Sequence, residues 1–323
     1  MRPAGLLERE PRDTPEEGTR GRRFIFVGGA PRSGTTLVQN VLDCHPKILG
    51  VPEFLNLERI VELRNRLRQG INRGAIDAFA SGPEVDRLTV QFIEDLLLPL
   101  ADRHGAPYLS EKTPSNALVF RELLELFPAA RCIFVLRDPR AVIASMLEVG
   151  ARAAAQGHPT QPWTRSLPAA VAYVQRYFRA ACAAEADAPG RVLVLRYETL
   201  VTEPEAETRA ICDFLGLPWT DAMLSPANRS HPGEQAIVRT AIWYDPASFR
   251  RDPDPAGIEM WKERLSARQK AVITLAFAKM PEMRRAGYRL RPGDLTPSEF
   301  ALGHGARLVE RLGGRLRRAL GPA

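Results

Sequence analysis

The stretch RFIFVGGAPRSGTTLVQNVL, residues 23–42, decides the fold of this chain. Residues 23–29 form a β-branched and aromatic run that ends in glycines, which predicts a buried parallel strand. A Gly/Ser/Thr turn follows, and residues 37–42 have the apolar spacing of a helix. A strand, a glycine-rich turn and a helix in this order open a βαβ unit.

The alternation of strand and helix recurs along the chain. Further short apolar strands are predicted at 108–112, 131–136 and 191–195. A helical pattern follows each of them, at 115–127, 139–149 and 203–215. Other helical segments lie at 55–69, 88–104, 167–186 and 266–286. These elements predict an α/β fold: a P-loop-type parallel sheet of four to five strands flanked by helices, with helical insertions.

The turn after the first strand is close to a phosphate-binding loop. Residues 29–36, GAPRSGTT, nearly match the P-loop pattern G-x4-G-K-[S/T], in which backbone N–H groups and a helix N-terminus face an anion. A nucleotide triphosphatase has a lysine where this chain has Thr35, and that lysine neutralises the β- and γ-phosphates. Arg32 places a cation earlier in the loop. A P-loop nucleotide kinase that uses ATP is the alternative function, but its lysine is missing.

Residues 26–37, FVGGAPRSGTTL, continue to LDCHP at 42–46, and together they carry a family resemblance. They resemble the 5′-phosphosulfate-binding segment of sulfotransferases that use 3′-phosphoadenosine 5′-phosphosulfate (PAPS), and are most similar to the tyrosylprotein sulfotransferase branch and its bacterial relatives. The resemblance implies a loop that binds PAPS through Gly29, Arg32, Ser33, Gly34, Thr35 and Thr36.

The activity that the resemblance implies is transfer of the sulfuryl group of PAPS to a hydroxyl acceptor. Phenols or tyrosine, sugars and other alcohols all stay open as acceptors, whether small molecules or peptides. The product nucleotide would be adenosine 3′,5′-bisphosphate, and no metal is expected. A third hypothesis, a PAPS-shaped fold that only binds a partner, is disfavoured because Glu53 and Lys112 accompany the anion sites.

A second family signature follows the strand at 131–136. The sequence RDPRAVIAS, residues 137–145, resembles the segment whose Arg and Ser hold the 3′-phosphate of PAPS. Arg137 leaves the carboxyl end of a strand, where α/β sheets bind ligands. Ser145 lies about two helical turns further on, and Arg140 is expected near the same helix N-terminus.

Three more residues are expected near the nucleotide. Tyr197, which follows the strand at 191–195, resembles a tyrosine that helps to hold the adenosine. Arg239 and Lys262 are candidates for a cation that closes over PAPS, and the choice between them stays open.

The transfer needs a base for the proton of the acceptor hydroxyl and cations for the charge on the leaving oxygen. The resemblance implies that Glu53 is the base and that Lys112 binds the oxygen that bridges phosphorus and sulfur. Arg32 is counted with them as a catalytic cation. His45, which precedes a proline, is the second candidate for the base, and we interpret it as a capping or packing residue.

Composition sets the remaining expectations. The net charge is +7 and the pI about 9.5, which suits a polyanionic ligand. No aromatic-studded basic stripe is present, so nucleic acid is not expected as a partner. The four cysteines lack C-x-x-C spacing, and Gly50 and Ser110 stand where secretory relatives carry cysteines. These features predict a reducing, cytoplasmic location.

The predicted domain organisation has three parts. Residues 1–22 are expected to be disordered, 23–290 to form the sulfotransferase domain, and 291–323 to form a basic amphipathic helical segment. The leucines and arginines of 307–320 allow this last helix either to dock on the domain or to contact an anionic membrane surface weakly. The oligomeric state stays open.

Overall fold

The computed structural model describes residues 19–231, 242, 251–288, 290, 295–298 and 301–302. Most of the predicted terminal segments, including 307–320, lie outside the described residues. Residues 19–22, expected to be disordered, form a turn before the first strand, in which the Arg20 carbonyl accepts a hydrogen bond from the Ala129 N–H at 2.9 Å. Gly21 has a φ of 80°, and a β-carbon there would collide with Phe127. This turn therefore belongs to the folded domain.

Five parallel strands form the sheet of the described chain, within the four to five that the sequence predicts. The strands are β1 Phe24–Gly29, β2 Ile48–Val51, β3 Tyr108–Lys112, β4 Arg131–Leu136 and β5 Val192–Arg196. Their order in the sheet is β2-β3-β1-β4-β5. The sequence predicts no strand at β2, because its four residues, ILGV, are too short to show a periodicity.

Helices cover both faces of the sheet. They are α1 Thr35–Asp43, α2 Leu57–Asn72, α3 Gly82–Arg103, α4 Phe120–Leu126, α5 Pro139–Ala155, α6 Pro162–Arg165, α7 Leu167–Asp187, α8 Tyr197–Thr202, α9 Pro204–Leu215, α10 Trp261–Arg264, α11 Ala267–Phe277 and α12 Pro281–Arg285. No helix among the described residues is long and apolar enough to cross a bilayer.

Two helices expected from the sequence are interrupted. The segment predicted at 115–127 is a 3-10 turn, Pro114–Leu118, followed by α4, with Val119 at φ −128° between them. The segment predicted at 266–286 is divided into α11 and α12 at Pro281, which lacks the N–H that a continuous helix needs. Neither break changes the side of the sheet on which the segment packs.

The core lies on the two faces of β1, all six residues of which are buried. Because side chains alternate along a strand, Phe24 and Phe26 pack with Phe127 on one face. Ile25 and Val27 belong to the apolar cluster on the other face. A strand buried on both faces must be apolar throughout, which is why this stretch has no polar alternation.

Parallel register brings all five carboxyl ends to one edge of the sheet. β1 lies between β3 and β4, with Val27 opposite both Lys112 and Ile133. The loop after β1, Lys112 at the end of β3 and Arg137 directly after β4 therefore meet at the start of α1. This is the edge at which open α/β sheets bind their ligands.

Candidate active site

The loop between β1 and α1 turns tightly and leaves no room for a side chain at Gly29 or Gly34. Arg32 and Gly34 have φ values of 74° and 101°, in the left-handed region. A β-carbon on Gly34 would collide with the ring of Tyr197, and one on Gly29 would lie 2.6 Å from the carbonyl oxygen of Val135. The loop is thus pressed against β4 and against Tyr197, which keeps its backbone close to the start of α1.

Ser33, in the middle of this loop, carries a polar atom that suits an anionic ligand. Its side chain is fully buried, and its Oγ has no hydrogen-bond partner within the described part of the chain. Buried hydroxyls are nearly always paired in native proteins. Since Oγ is a donor, the phosphosulfate group of PAPS fits this position. Thr35 and Thr36 follow at the first turn of α1, where backbone N–H groups remain unpaired within the helix.

The two predicted anion sites adjoin each other through Arg32. Its Nε donates a hydrogen bond to Oγ of Ser145 on α5, at 3.0 Å. The Nη1 of Arg137 donates to the Arg32 carbonyl at 3.3 Å, and its guanidinium lies 4.2 Å from the centre of the Tyr197 ring. Arg32, Arg137, Ser145 and Tyr197, which the sequence places at separate positions, form one contiguous group. The Nε of Arg137 is buried without a partner among the described groups, so it can still bind an anion.

Arg140 is arranged differently from the other arginines. Its Nη2 forms an ion pair with Oδ2 of Asp138 at 2.6 Å, and its guanidinium lies 4.0 Å from the centre of the Trp261 ring. Asp138 also caps α5 by accepting the Arg140 backbone N–H at 2.8 Å. Arg140 thus pairs with Asp138 and stacks on Trp261, and its expected contact with the nucleotide stays a prediction.

Glu53 and Lys112 form a partly buried ion pair beside the loop. Lys112 is 2% exposed, and its Nζ donates one hydrogen bond to the Glu53 carboxylate and another to Oγ1 of Thr36 at 3.2 Å. The expected base, the expected cation and the phosphate-binding loop are thus linked through one ammonium group. This arrangement can withdraw a proton from a hydroxyl and stabilise negative charge on a nearby oxygen.

His45 lies away from this group. It is 1% exposed, its Nε2 lies 2.9 Å from the carbonyl oxygen of Pro218, and its Nδ1 accepts the N–H of Lys47 at 3.2 Å. A neutral imidazole with its proton on Nε2 satisfies both contacts. The arrangement supports a packing role and leaves no ring nitrogen for a substrate.

The C-terminal part holds the two candidates for a cation that closes over PAPS, Arg239 and Lys262. Arg239 lies outside the described residues. Lys262 forms an ion pair with Glu259 on the surface, where about half of its side chain is exposed. Two residues in this part contact the site arginines although the sequence did not indicate them. The Gly257 carbonyl accepts a hydrogen bond from Nη2 of Arg137 at 3.1 Å, and Trp261 covers Arg140. A tryptophan directly before the candidate Lys262 was the available signal.

A buried polar cluster, centred on Glu111, lies next to Glu53 and is not indicated by the sequence. The carboxylate of Glu111 accepts hydrogen bonds from the N–H of Phe54, from the hydroxyl of Thr113 and from the side-chain amide of Asn116. Desolvation raises the pKa of Glu111, and these hydrogen bonds together with the charge of Lys112 act in the opposite direction. The sequence EKTPSN shows these residues as a polar run but gives no sign that they are buried.

Metal ligands do not converge in the described part of the chain: no group of three or more His, Cys, Asp or Glu side chains there could hold an ion.

The chain resembles known proteins in sequence and in fold. A profile of the sulfotransferase family matches residues 24–221. Protein-tyrosine sulfotransferase A of Caenorhabditis elegans is 32% identical over 211 residues, which cover 62% of this chain and 52% of that protein. Protein-tyrosine sulfotransferase 1 of Danio rerio is 31% identical over 209 residues, which cover 62% and 55%. The chain spans about half the length of these curated relatives.

Among solved structures, the sulfotransferase domain from the curacin biosynthetic pathway has a TM-score of 0.55 and 18% identity. The match covers 83% of this chain and 98% of that domain, and it shows the fold alone. The matched range, residues 24–221, spans the loop after β1, Glu53, Lys112 and the turn at Arg137. The resemblance predicted from residues 26–46 is therefore confirmed, and the chain belongs to the sulfotransferase family.

Proposed function

We propose that the protein transfers the sulfuryl group of PAPS to a hydroxyl of its acceptor. The observation that carries this proposal is the position of Lys112, whose ammonium contacts both the Glu53 carboxylate and the hydroxyl of Thr36. A base for the acceptor and a cation for the leaving oxygen thus stand beside a loop suited to an anion. The family match does not favour the alternative, a nucleotide kinase that uses ATP.

PAPS, when bound, supplies the sulfuryl group and leaves as adenosine 3′,5′-bisphosphate. In our proposal the loop after β1 holds the phosphosulfate through its N–H groups, the Ser33 hydroxyl and the start of α1. Arg137 and Ser145 hold the 3′-phosphate, and Tyr197 holds the adenosine. Glu53 takes the proton of the acceptor hydroxyl, while Lys112 and Arg32 stabilise the negative charge that develops as the bond to sulfur breaks.

The acceptor that we favour is a phenolic hydroxyl, as in tyrosine. The curated relatives are named protein-tyrosine sulfotransferases, which supports this choice. A phenol has a pKa of about 10, so a carboxylate can assist its ionisation by hydrogen bonding as charge develops. Alcohols, whose protons are much less acidic, would depend on the base still more strongly.

We also propose a reducing, cytoplasmic location. All four cysteines are buried and unpaired. Burial raises the pKa of Cys44 and of Cys182 to about 11, so both thiols stay protonated and unreactive at neutral pH. Fractionation of cells that produce the full chain, followed by immunoblotting, tests the location.

The test of activity is transfer of radiolabelled sulfate from PAPS to a panel of tyrosine peptides, simple phenols, sugars and alcohols. We expect transfer to at least the phenolic acceptors and release of adenosine 3′,5′-bisphosphate. Asp86→Asn serves as a control for folding, because Asp86 pairs with Arg64 on the helical insertion and does not contact the site. Transfer from labelled ATP, with none from PAPS, would overturn the proposal.

A further inference from the structure

Glu111, which the family resemblance does not assign, has an unusual environment for a carboxylate. It is fully buried at the end of β3, directly before Lys112. Its Oε1 accepts the backbone N–H of Phe54 at 2.9 Å and the hydroxyl of Thr113 at 2.6 Å. Its Oε2 accepts the side-chain amide of Asn116 at 2.5 Å. The carboxylate therefore connects the end of β3 to the backbone directly after Glu53.

The segment after Glu53 is held at a second point. Oγ1 of Thr113 accepts the N–H of Leu55 at 3.2 Å. Leu55 has a φ of 60°, a left-handed conformation that residues other than glycine rarely adopt, and its side chain is more than half exposed. Such a conformation persists where the surroundings impose it. The contact that the structure gives for Leu55 is on its backbone, where its N–H donates to Thr113.

Consecutive residues of β3 act on Glu53 from opposite sides. Because side chains alternate along a strand, those of Glu111 and Lys112 leave β3 in opposite directions. Lys112 pairs with the Glu53 side chain, and Glu111 binds the N–H of the next residue along the backbone. The position of the Glu53 carboxylate is therefore fixed in two ways: its side chain contacts Lys112, and the backbone directly after it is held by Glu111.

A buried carboxylate at this position costs desolvation free energy, which a residue that only fills space would not need. Desolvation raises the pKa of Glu111, which means that burial disfavours its charged form. An apolar side chain of similar size would avoid that cost, but it could not accept the N–H of Phe54. The hydrogen bonds are thus the property that distinguishes glutamate here from an apolar residue.

We propose that Glu111 is a positioning residue, which places Glu53 for proton abstraction by holding the Phe54 N–H. This inference rests on the proposed function, in which Glu53 is the base. Groups that act through one another are strongly non-additive, whereas residues that only stabilise the fold lower activity independently of each other.

The test is a double-mutant cycle between Glu111→Met, which keeps the volume but cannot accept hydrogen bonds, and Glu53→Gln. With a tyrosine peptide and saturating PAPS, we expect Glu111→Met to lower kcat by about 10- to 100-fold, the effect of a misplacement of about 1 Å. The KM for PAPS should change by less than about twofold. With Glu53→Gln already present, the further loss should be under about threefold.

Glu111→Gln is the conservative variant, because its amide oxygen can still accept the Phe54 N–H. We expect its kcat to stay within about threefold of the wild type. Asp86→Asn is the matched control: it removes an ion-paired carboxylate of the helical insertion, and it should lower the unfolding temperature without changing kcat in either background. Equal losses from Glu111→Met with and without Glu53→Gln would overturn the proposal, as would an unchanged kcat.

A second measurement does not depend on activity. In protein labelled with 15N-phenylalanine, hydrogen exchange of the Phe54 amide should be slow in the wild type and in Glu111→Gln, and at least about tenfold faster in Glu111→Met. Unchanged exchange would contradict the proposed contact. An inactive wild type with this exchange pattern would instead contradict the proposed function alone. If Glu111→Met does not fold, Thr113→Val is tested in the same cycle, with the exchange of the Leu55 amide as its readout.

Discussion

The ammonium of Lys112 donates a hydrogen bond to the carboxylate of Glu53, so the proposed base and the proposed cation are direct partners. The ammonium occupies an oxygen of the Glu53 carboxylate, to which the acceptor hydroxyl would have to donate its proton. An anion on the loop after β1 would compete for Lys112 and release Glu53. We therefore expect the nucleotide to bind before the acceptor.

The first prediction concerns this order of binding. We expect adenosine 3′,5′-bisphosphate to increase the affinity for a tyrosine peptide, because Lys112 turns from Glu53 to the nucleotide. Isothermal titration calorimetry of the peptide, with and without the nucleotide, measures the effect. In Lys112→Met the nucleotide should no longer enhance peptide binding. Enhancement of equal size in that variant would mean that the ion pair does not control the order.

The second prediction separates the base from its neighbours. Glu53→Gln should lower kcat by about 10²- to 10⁴-fold, the usual contribution of general base catalysis. The defect should be smaller for nitrophenols, whose hydroxyl is already acidic, and the affinity for the nucleotide should not fall. Steady-state kinetics with phenols of graded pKa provide the measurement. His45→Gln, at a residue with both ring nitrogens in structural contacts, should lower stability and leave kcat within about threefold. If His45→Gln lowers kcat far more than Glu53→Gln does, His45 is the base.

Comparison of sequence and structure shows which features local patterns can predict. Residues 23–42 predict β1, the loop and α1, because an apolar strand, glycines and a helical period are all local signals. Arg137 and Lys112, which the family resemblance names as site residues, stand at the carboxyl ends of parallel strands, where α/β sheets bind ligands.

Other features depend on contacts between distant segments, and no local pattern reports them. The carboxylate of Glu111 accepts a hydrogen bond from the N–H of Phe54, 57 residues earlier. The partnership of Arg140 with Trp261 likewise joins α5 to a helix far along the chain. Asp138, two residues before Arg140, pairs with its guanidinium, and binding of phosphate by Arg140 stays a prediction.

The third prediction concerns selectivity for the 3′-phosphate. Arg137→Ala should weaken binding of adenosine 3′,5′-bisphosphate by about 1.5–3 kcal/mol, the range for a hydrogen bond to a charged group. Binding of adenosine 5′-monophosphate, which lacks the 3′-phosphate, should change little. Titration calorimetry of both nucleotides gives the comparison. Arg121→Ala, at an exposed arginine paired with Asp187, is the control for general loss of positive charge. Equal weakening toward both nucleotides would mean that Arg137 acts through the fold, by way of the Arg32 and Gly257 carbonyls.

The fourth prediction concerns metal. Arg32, Lys112 and Arg137 place three cations around the loop, and they can balance the charge that Mg²⁺ balances in nucleotide triphosphatases. We therefore expect transfer at an undiminished rate after exhaustive treatment with EDTA. The assay compares initial rates with EDTA, with added Mg²⁺ and with neither. Loss of transfer in EDTA, restored by Mg²⁺, would contradict this expectation.

The last prediction follows from the raised pKa of Glu111. Between the ordinary carboxyl pKa of about 4.3 and the higher value in the folded protein, the folded state retains a proton that the unfolded state has released. The contribution of this group to stability is therefore present below the ordinary pKa and is lost as the pH rises through the folded-state pKa. The amide of Glu111→Gln cannot titrate, so this variant removes the pH-dependent contribution of Glu111 to stability and leaves the other carboxylates unchanged. We expect the free energy of unfolding of the wild type, minus that of Glu111→Gln, to decrease steadily as the pH rises from about 4. Urea unfolding of both proteins across a pH series measures this difference. An increase with pH would show that the three hydrogen bonds and Lys112 outweigh desolvation and that the carboxylate is favoured in its ionised form.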